Sequence, residues 1–88
     1  MNYNNSQKTK KELYYTLVNK IEKKGEYRSK RHGYYVKINV YDDYYLELDT
    51  WNKSIFVFKN NNFKYSLGID FGCFYCNIIM VKFWLAHL

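Results

Sequence analysis

The sequence predicts an α+β domain in which an amphipathic N-terminal helix and an apolar C-terminal helix flank a four-stranded antiparallel meander. Three observations carry that expectation. Apolar residues between positions 7 and 24 recur every three to four places, the period of a helix with one buried face. From Gly33 onward the period drops to two through a series of short runs separated by polar breaks, as strands joined by tight turns require. The last stretch, FGCFYCNIIMVKFWLAHL, is apolar on nearly every side and longer than a usual strand.

The first helix is expected from Gln7 to about Lys24. Its apolar set, Leu13, Tyr14, Leu17, Val18 and Ile21, falls within an arc of about 140° at about 100° per residue, the width of a stripe that packs on a sheet or a second helix. Ser6 or Thr9 is the expected N-cap, and Gly25, after a lysine pair, is the expected stop. Residues 1–6 read as a flexible polar tail. Val36, Ile38 and Val40 then alternate with Lys37 and Asn39 as the first strand. Asp42 and Asp43 make a polar break, and Tyr44, Leu46 and Leu48 alternate with Tyr45, Glu47 and Asp49 as the second. After Asn52 and Lys53, Ile55 through Phe58 form a strand that is apolar on both faces, and the asparagines at 60–62 turn the chain into Phe63, Tyr65, Leu67 and Ile69. Every connection is short, which favours antiparallel neighbours in chain order.

The C-terminal segment is best read as a helix. Its apolar side chains, including Phe74, Ile78, Val81, Trp84 and Leu85, must be enclosed under the sheet and first helix or against another subunit, so a homodimer through this segment is one expectation. A membrane anchor fits less well, because the run falls short of the roughly 20 residues a span needs and contains Lys82. A chain of 88 residues has room for one core, and residues 1–88 are expected to form a single small domain. Eleven Tyr, six Phe and two Trp supply much of that core, since each ring buries more area than an aliphatic side chain. With two cysteines and a polar opening, MNYNNSQKTKK, the pattern is neither a disulfide scaffold nor a secretory leader, so a cytoplasmic setting is expected.

Catalytic and metal-binding patterns are sparse. Cys73 and Cys76 have the CxxC spacing of redox enzymes, but they stand 15 and 12 residues before the last residue and follow a meander. They read as two small buried hydrophobes. A zinc site needs four ligands, and beyond these thiols and the carboxylates only His32 and His87 are present. Asp42 with Asp43, and Glu47 with Asp49, read as turn formers and as an acidic stripe opposing Lys37 or Lys59 across the sheet. Neither a phosphate-binding glycine loop nor an HExxH helix appears. The expectation is a protein that is not an enzyme and holds no cofactor or metal.

Charge is where the sequence is most informative. Residues 1–32 hold nine Lys or Arg against three Glu, whereas residues 33–88 hold five Lys against five acidic residues. The whole +6 excess therefore sits at one end, where it creates a local field that steers anionic partners. It peaks in KKGEYRSKRHGYY at 23–35. The candidate binding residues are Lys20, Lys23, Lys24, Tyr27, Arg28, Lys30, Arg31, His32, Tyr34 and Tyr35. Cations of this kind neutralise phosphates or carboxylates, and the tyrosines stack on bases or pack in protein interfaces. The bland alternative is a solvated helix-to-strand loop. One of Tyr34 and Tyr35 must face the core if a strand begins there.

A small, Lys-, Asn- and Tyr-rich chain with no active-site pattern and one concentrated basic patch resembles, in general type, the proteins that phages and mobile elements encode against host defences, anti-CRISPR inhibitors among them. That likeness rests on no shared motif. It implies action in the cytoplasm of an infected bacterial cell on a protein or nucleoprotein complex of the host. The alternative expectation is a stand-alone regulatory protein that binds RNA or DNA.

Overall fold

The structure is a computed structural model that describes the backbone of residues 3–30, 33–68 and 74–88 and the side chains of residues 10–29, 33–68 and 78–88. Helix α1 (Tyr3–Lys24) precedes five strands, β1 (Glu26–Lys30), β2 (Gly33–Asn39), β3 (Tyr44–Asp49), β4 (Ser54–Lys59) and β5 (Asn62–Leu67), and helix α2 (Phe74–His87) follows them. The strands form one sheet in chain order, each antiparallel to the next.

The α+β class is as the sequence predicts, with five strands in place of four. The additional one, β1, lies inside the basic stretch, so Glu26–Lys30 is a strand and not part of a loop. It pairs with β2 from Glu26 opposite Lys37 to Lys30 opposite Gly33. Its sequence, EYRSK, lacks apolar alternation because it is an edge strand whose described side chains are all exposed. Charge on such an edge discourages unwanted pairing. The first helix starts at Tyr3 instead of Gln7, so Ser6 and Thr9 stand within α1 and not at its N-cap position. No Gly or Pro interrupts residues 3–9, and polar residues alone are weak helix breakers. Ile69 and Cys73, assigned above to the last strand and the last segment, lie outside the described residues.

Gly25 does end α1, its amide donating to the Ile21 carbonyl at 2.8 Å. The reason for glycine is space: a Cβ there would lie 2.6 Å from Val36 Cγ1 and 2.9 Å from the Lys37 carbonyl oxygen. At the end of the sheet where β2 leads into β3, two tight turns lie side by side. Asp42 and Asp43 take φ of 50° and 64°, Asn60 and Asn61 take 52° and 68°, and the Asn60 amide donates to the Asp43 carbonyl at 3.1 Å. Two successive left-handed residues give the turn whose twist matches a hairpin, and Asp and Asn tolerate that conformation better than other side chains with a Cβ.

The core lies on one face of the sheet. Val36, Leu48, Ile55 and Leu67 are aligned opposite one another across β2 to β5, and Ile38, Leu46, Val57 and Tyr65 form the parallel row. Tyr14, Leu17, Val18 and Ile21 of α1 and Val81 and Trp84 of α2 close over these rows and are buried with them. Helix α1 packs on β2 and β3, α2 on β5, and the helices on each other. Each fully buried aliphatic side chain contributes about 1.5–3 kcal/mol relative to exposure. Polar atoms within this layer are paired: Trp84 Nε1 donates to the Tyr65 hydroxyl at 2.9 Å, which lies 3.2 Å from Met80 Sδ. Among the described residues, no helix is long and apolar enough to cross a membrane.

Candidate functional site

The structure divides the basic stretch between three elements. Lys20, Lys23 and Lys24 occupy the last turns of α1, where cations complement the negative helix pole. Lys24 Nζ also donates to the Leu88 carbonyl beyond α2, so this lysine bridges two helix ends. Arg28 and Lys30 are on β1, and Tyr34 and Tyr35 on β2. Arg31, His32 and the side chain of Lys30 lie outside the described residues. Beside them Gly33 takes φ of 145°, a conformation side chains with a Cβ rarely adopt.

Register decides which way the hairpin's side chains point. Tyr27 pairs with Val36 and Tyr34 with Ser29, so both tyrosines share the helix-covered face. They nevertheless remain 62% and 66% exposed, since β1 and the start of β2 extend past the cover of α1. Facing the core side and being buried are thus separate for Tyr34, and it is Tyr35, on the opposite face, that is half-buried. Arg28 is on that opposite face too, paired with Glu26 at 2.8 Å. An exposed pair of this kind contributes little to stability.

A third exposed aromatic residue joins the tyrosines. Trp51, in the turn between β3 and β4, is 90% exposed, and its turn is held from several directions. Asp49 Oδ1 accepts from the Trp51 amide at 2.9 Å and the Asn52 amide at 3.3 Å, and Oδ2 accepts from Asn52 Nδ2 at 3.2 Å. The Lys53 amide donates to the Asp49 carbonyl at 2.8 Å. Lys53 Nζ pairs with Glu22 of α1 at 2.6 Å, and the Tyr14 hydroxyl lies between the carbonyls of Lys53 and Leu67, 3.1 Å from the latter. Burial pushes the pKa of that hydroxyl up, and the neighbouring Tyr15 adds to the rise. Sequence reasoning assigns aromatic residues to the core by count and so passes over Trp51. The signal available was its position, between Thr50 and Asn52 where the period of two breaks.

The acidic residues divide differently from the stripe expected of them. Glu47 is opposite Lys37, as predicted, and is buried. Asp49 instead turns its carboxylate into its own turn. Lys59 faces the helix side opposite Tyr44 and pairs with Asp42 at 3.7 Å. Among the described residues, no three His, Cys, Asp or Glu side chains gather as a metal cage; His32, Cys73 and the side chain of Cys76 lie outside them. A polar cleft of about 340 Å³ opens beside the two tight turns, lined in part by Lys37, Asp43 and Asn61. It is at the end of the sheet away from Tyr34 and Trp51, and neither of these residues lines it. Comparison with protein-family models, with curated proteins and with solved structures finds no match to this chain.

Proposed function

We propose that this chain is a small non-enzymatic binding protein that acts by direct contact, with the β1–β2 hairpin and the adjoining β3–β4 turn as its contact surface. The observation that carries this reading is the strong exposure of Tyr27, Tyr34 and Trp51, the last two joined at one end of the sheet by the hydrogen bonds from Thr50 to the Tyr34 carbonyl, next to the basic strand β1. Trp, Tyr and Arg are the residues that dominate binding energy at protein interfaces, and a positive field selects an anionic partner. The partner we infer is a nucleoprotein complex or an acidic protein surface. The role that fits a small chain of this kind is inhibition of a host defence complex, as anti-CRISPR proteins do.

The exposed rings support a second reading. Exposed rings within a basic stretch are also the components of a single-strand stacking surface, which would make the chain a regulatory RNA- or DNA-binding protein. One set of measurements separates the two. Replacing Arg28, Lys30 and Arg31 by Ala is expected to leave folding nearly intact, because an exposed pair such as Arg28 with Glu26 contributes little to it, and to weaken partner binding while flattening its salt dependence. Nucleic acid that copurifies with the parent chain and is lost in high salt favours the regulator; one stoichiometric protein complex favours the inhibitor. Unchanged binding by the triple variant across a salt series overturns the hairpin as the contact surface.

A further inference from the structure

The edge of a sheet, unlike its faces, leaves backbone hydrogen-bonding groups without partners. β1 pairs with β2 over five consecutive positions with no bulge, and in an antiparallel ladder opposed residues exchange both backbone bonds or neither. The Tyr34 carbonyl accepts from the Thr50 amide and hydroxyl, on the side of β3, so Tyr34 and its partner Ser29 are a pair that exchanges none. Ser29 therefore turns its N–H and C=O away from the sheet, and alternation gives the same direction to those of Tyr27. No hydrogen bond of the described residues takes up these groups.

The opposite edge is less open to a new strand. β5 carries a register shift against β4 at Val57 and Phe58, has Lys64 within it and has α2 packed on it, all devices that keep a foreign strand away. The described side chains of β1, by contrast, are all exposed, and its ladder is regular. What fits such an edge follows from its groups. Each outward residue offers one donor and one acceptor. A phosphate chain takes only the donors and is repelled by the carbonyls, whereas an extended peptide supplies both in the same alternation.

Charge then selects among peptides. Residues 20–32 hold six Lys or Arg against Glu22 and Glu26, and both carboxylates are already engaged, Glu22 by Lys53 and Glu26 by Arg28. The surplus around this edge is positive, which favours carboxylates on an incoming strand. A second copy of the chain fits poorly. The antiparallel register that bonds both Tyr27 and Ser29 sets Arg28 directly opposite Arg28 of the copy, in the pair type whose side chains are closest and where like charges are destabilising. With the hairpin as the contact surface, a reading on which this inference rests, we propose that β1 is where an acidic, extended segment of the partner protein adds as a further strand. Its main chain bonds Tyr27 and Ser29, and the basic stretch attracts its carboxylates.

Fluorescence anisotropy of the full chain with a labelled peptide of alternating Glu and Thr tests this, beside the same peptide N-methylated along its backbone and beside oligothymidylate. The parent binds the unmodified peptide and holds the methylated one about tenfold or more weakly, since methylation removes main-chain donors and leaves the charge unchanged. Ser29→Pro removes one outward N–H, which an edge strand tolerates, and keeps every charge and ring. It weakens the unmodified peptide to a similar degree at unchanged circular dichroism; should it disturb folding, the two peptides on the parent decide. Absent binding of the unmodified peptide overturns the proposal, as does equal binding of both peptides or equal binding by parent and a folded Ser29→Pro. Binding of oligothymidylate alone overturns it and makes the edge a nucleic-acid surface, and a dimer of the parent that Ser29→Pro abolishes gives the edge to a second copy. For a complex captured by the parent, loss on replacing Arg28, Lys30 and Arg31 by Ala but retention in Ser29→Pro removes strand addition and leaves the hairpin reading standing; retention in both removes both.

Discussion

The Tyr34 carbonyl accepts two hydrogen bonds from Thr50, one from its hydroxyl at 2.9 Å and a longer one from its amide at 3.4 Å. This links the start of β2 to the turn after β3 at the point where their paired strands end. Tyr34 and Trp51 are thereby fixed relative to each other although both side chains project into solvent. A contact surface whose anchors are held in place before binding avoids part of the ordering cost that association otherwise carries.

Trp51→Ala separates anchoring from folding. The side chain is 90% exposed, so thermal stability is expected to change by no more than about 0.5 kcal/mol. Affinity for the partner captured by the parent chain is expected to fall by about 2 kcal/mol, roughly thirtyfold. Equal affinity of variant and parent in a titration removes Trp51 from the surface.

Asp49→Ala tests the turn that presents it. Three donors, the amides of Trp51 and Asn52 and the Asn52 side chain, lose their acceptor. They are solvent-exposed and water replaces part of the loss, so a cost of about 1 kcal/mol is expected. In a Trp84→Phe background, where Trp51 is the remaining tryptophan, its fluorescence anisotropy should drop. Unaltered anisotropy would show that the turn holds its shape without the carboxylate.

Most of the fold was legible because burial imposes a period. Leu17 and Ile21 at helical spacing, and Leu46 and Leu48 at strand spacing, could be assigned to core faces from position alone, and all four are fully buried. β1 was not legible for the same reason in reverse. Glu26 through Lys30 bury no face, so nothing in their order reports that they are a strand; only the ladder to β2 does. The candidate site was half legible. Composition located the basic stretch and Tyr27 and Tyr34, but Trp51 enters through a hydrogen bond between residues 16 positions apart, a relationship that periodicity does not encode.

Gly25→Ala sets two known effects against each other. Alanine is favoured over glycine within a helix by about 1 kcal/mol, but Gly25 comes after the last residue of α1, where that gain applies only in part. Against it, the new methyl would meet Val36 Cγ1 at 2.6 Å and the Ile21 carbonyl oxygen at 2.8 Å. Val36 is fully buried, which leaves it little room to retreat. Overpacking costs about 1–3 kcal/mol, so net destabilisation is expected in urea unfolding. A neutral or stabilising result would mean that the junction of α1 and β2 yields more easily than its packing implies.

Tyr14→Phe has a pH signature that a mere packing change lacks. Burial first, and Tyr15 second, raise the pKa of the Tyr14 hydroxyl in the folded chain above its unfolded value near 10. Below about pH 10 the hydroxyl is protonated in both states, and its contribution to stability is fully present. As pH rises further, the unfolded chain releases this proton while the folded chain retains it, so the unfolded state gains and stability falls. Phenylalanine removes that linkage together with the hydrogen bonds to the Leu67 and Lys53 carbonyls. At neutral pH the variant should be less stable by about 1–2 kcal/mol. Denaturant titrations from about pH 8 to about pH 11 should then show the gap between parent and variant narrowing. The variant retains some alkaline slope, because burial raises the Tyr65 hydroxyl in the same direction, partly offset by the hydrogen bond from Trp84. A gap that stays constant across the series would mean that Tyr14 ionises alike in both states, and that its hydroxyl is not enclosed between those two carbonyls.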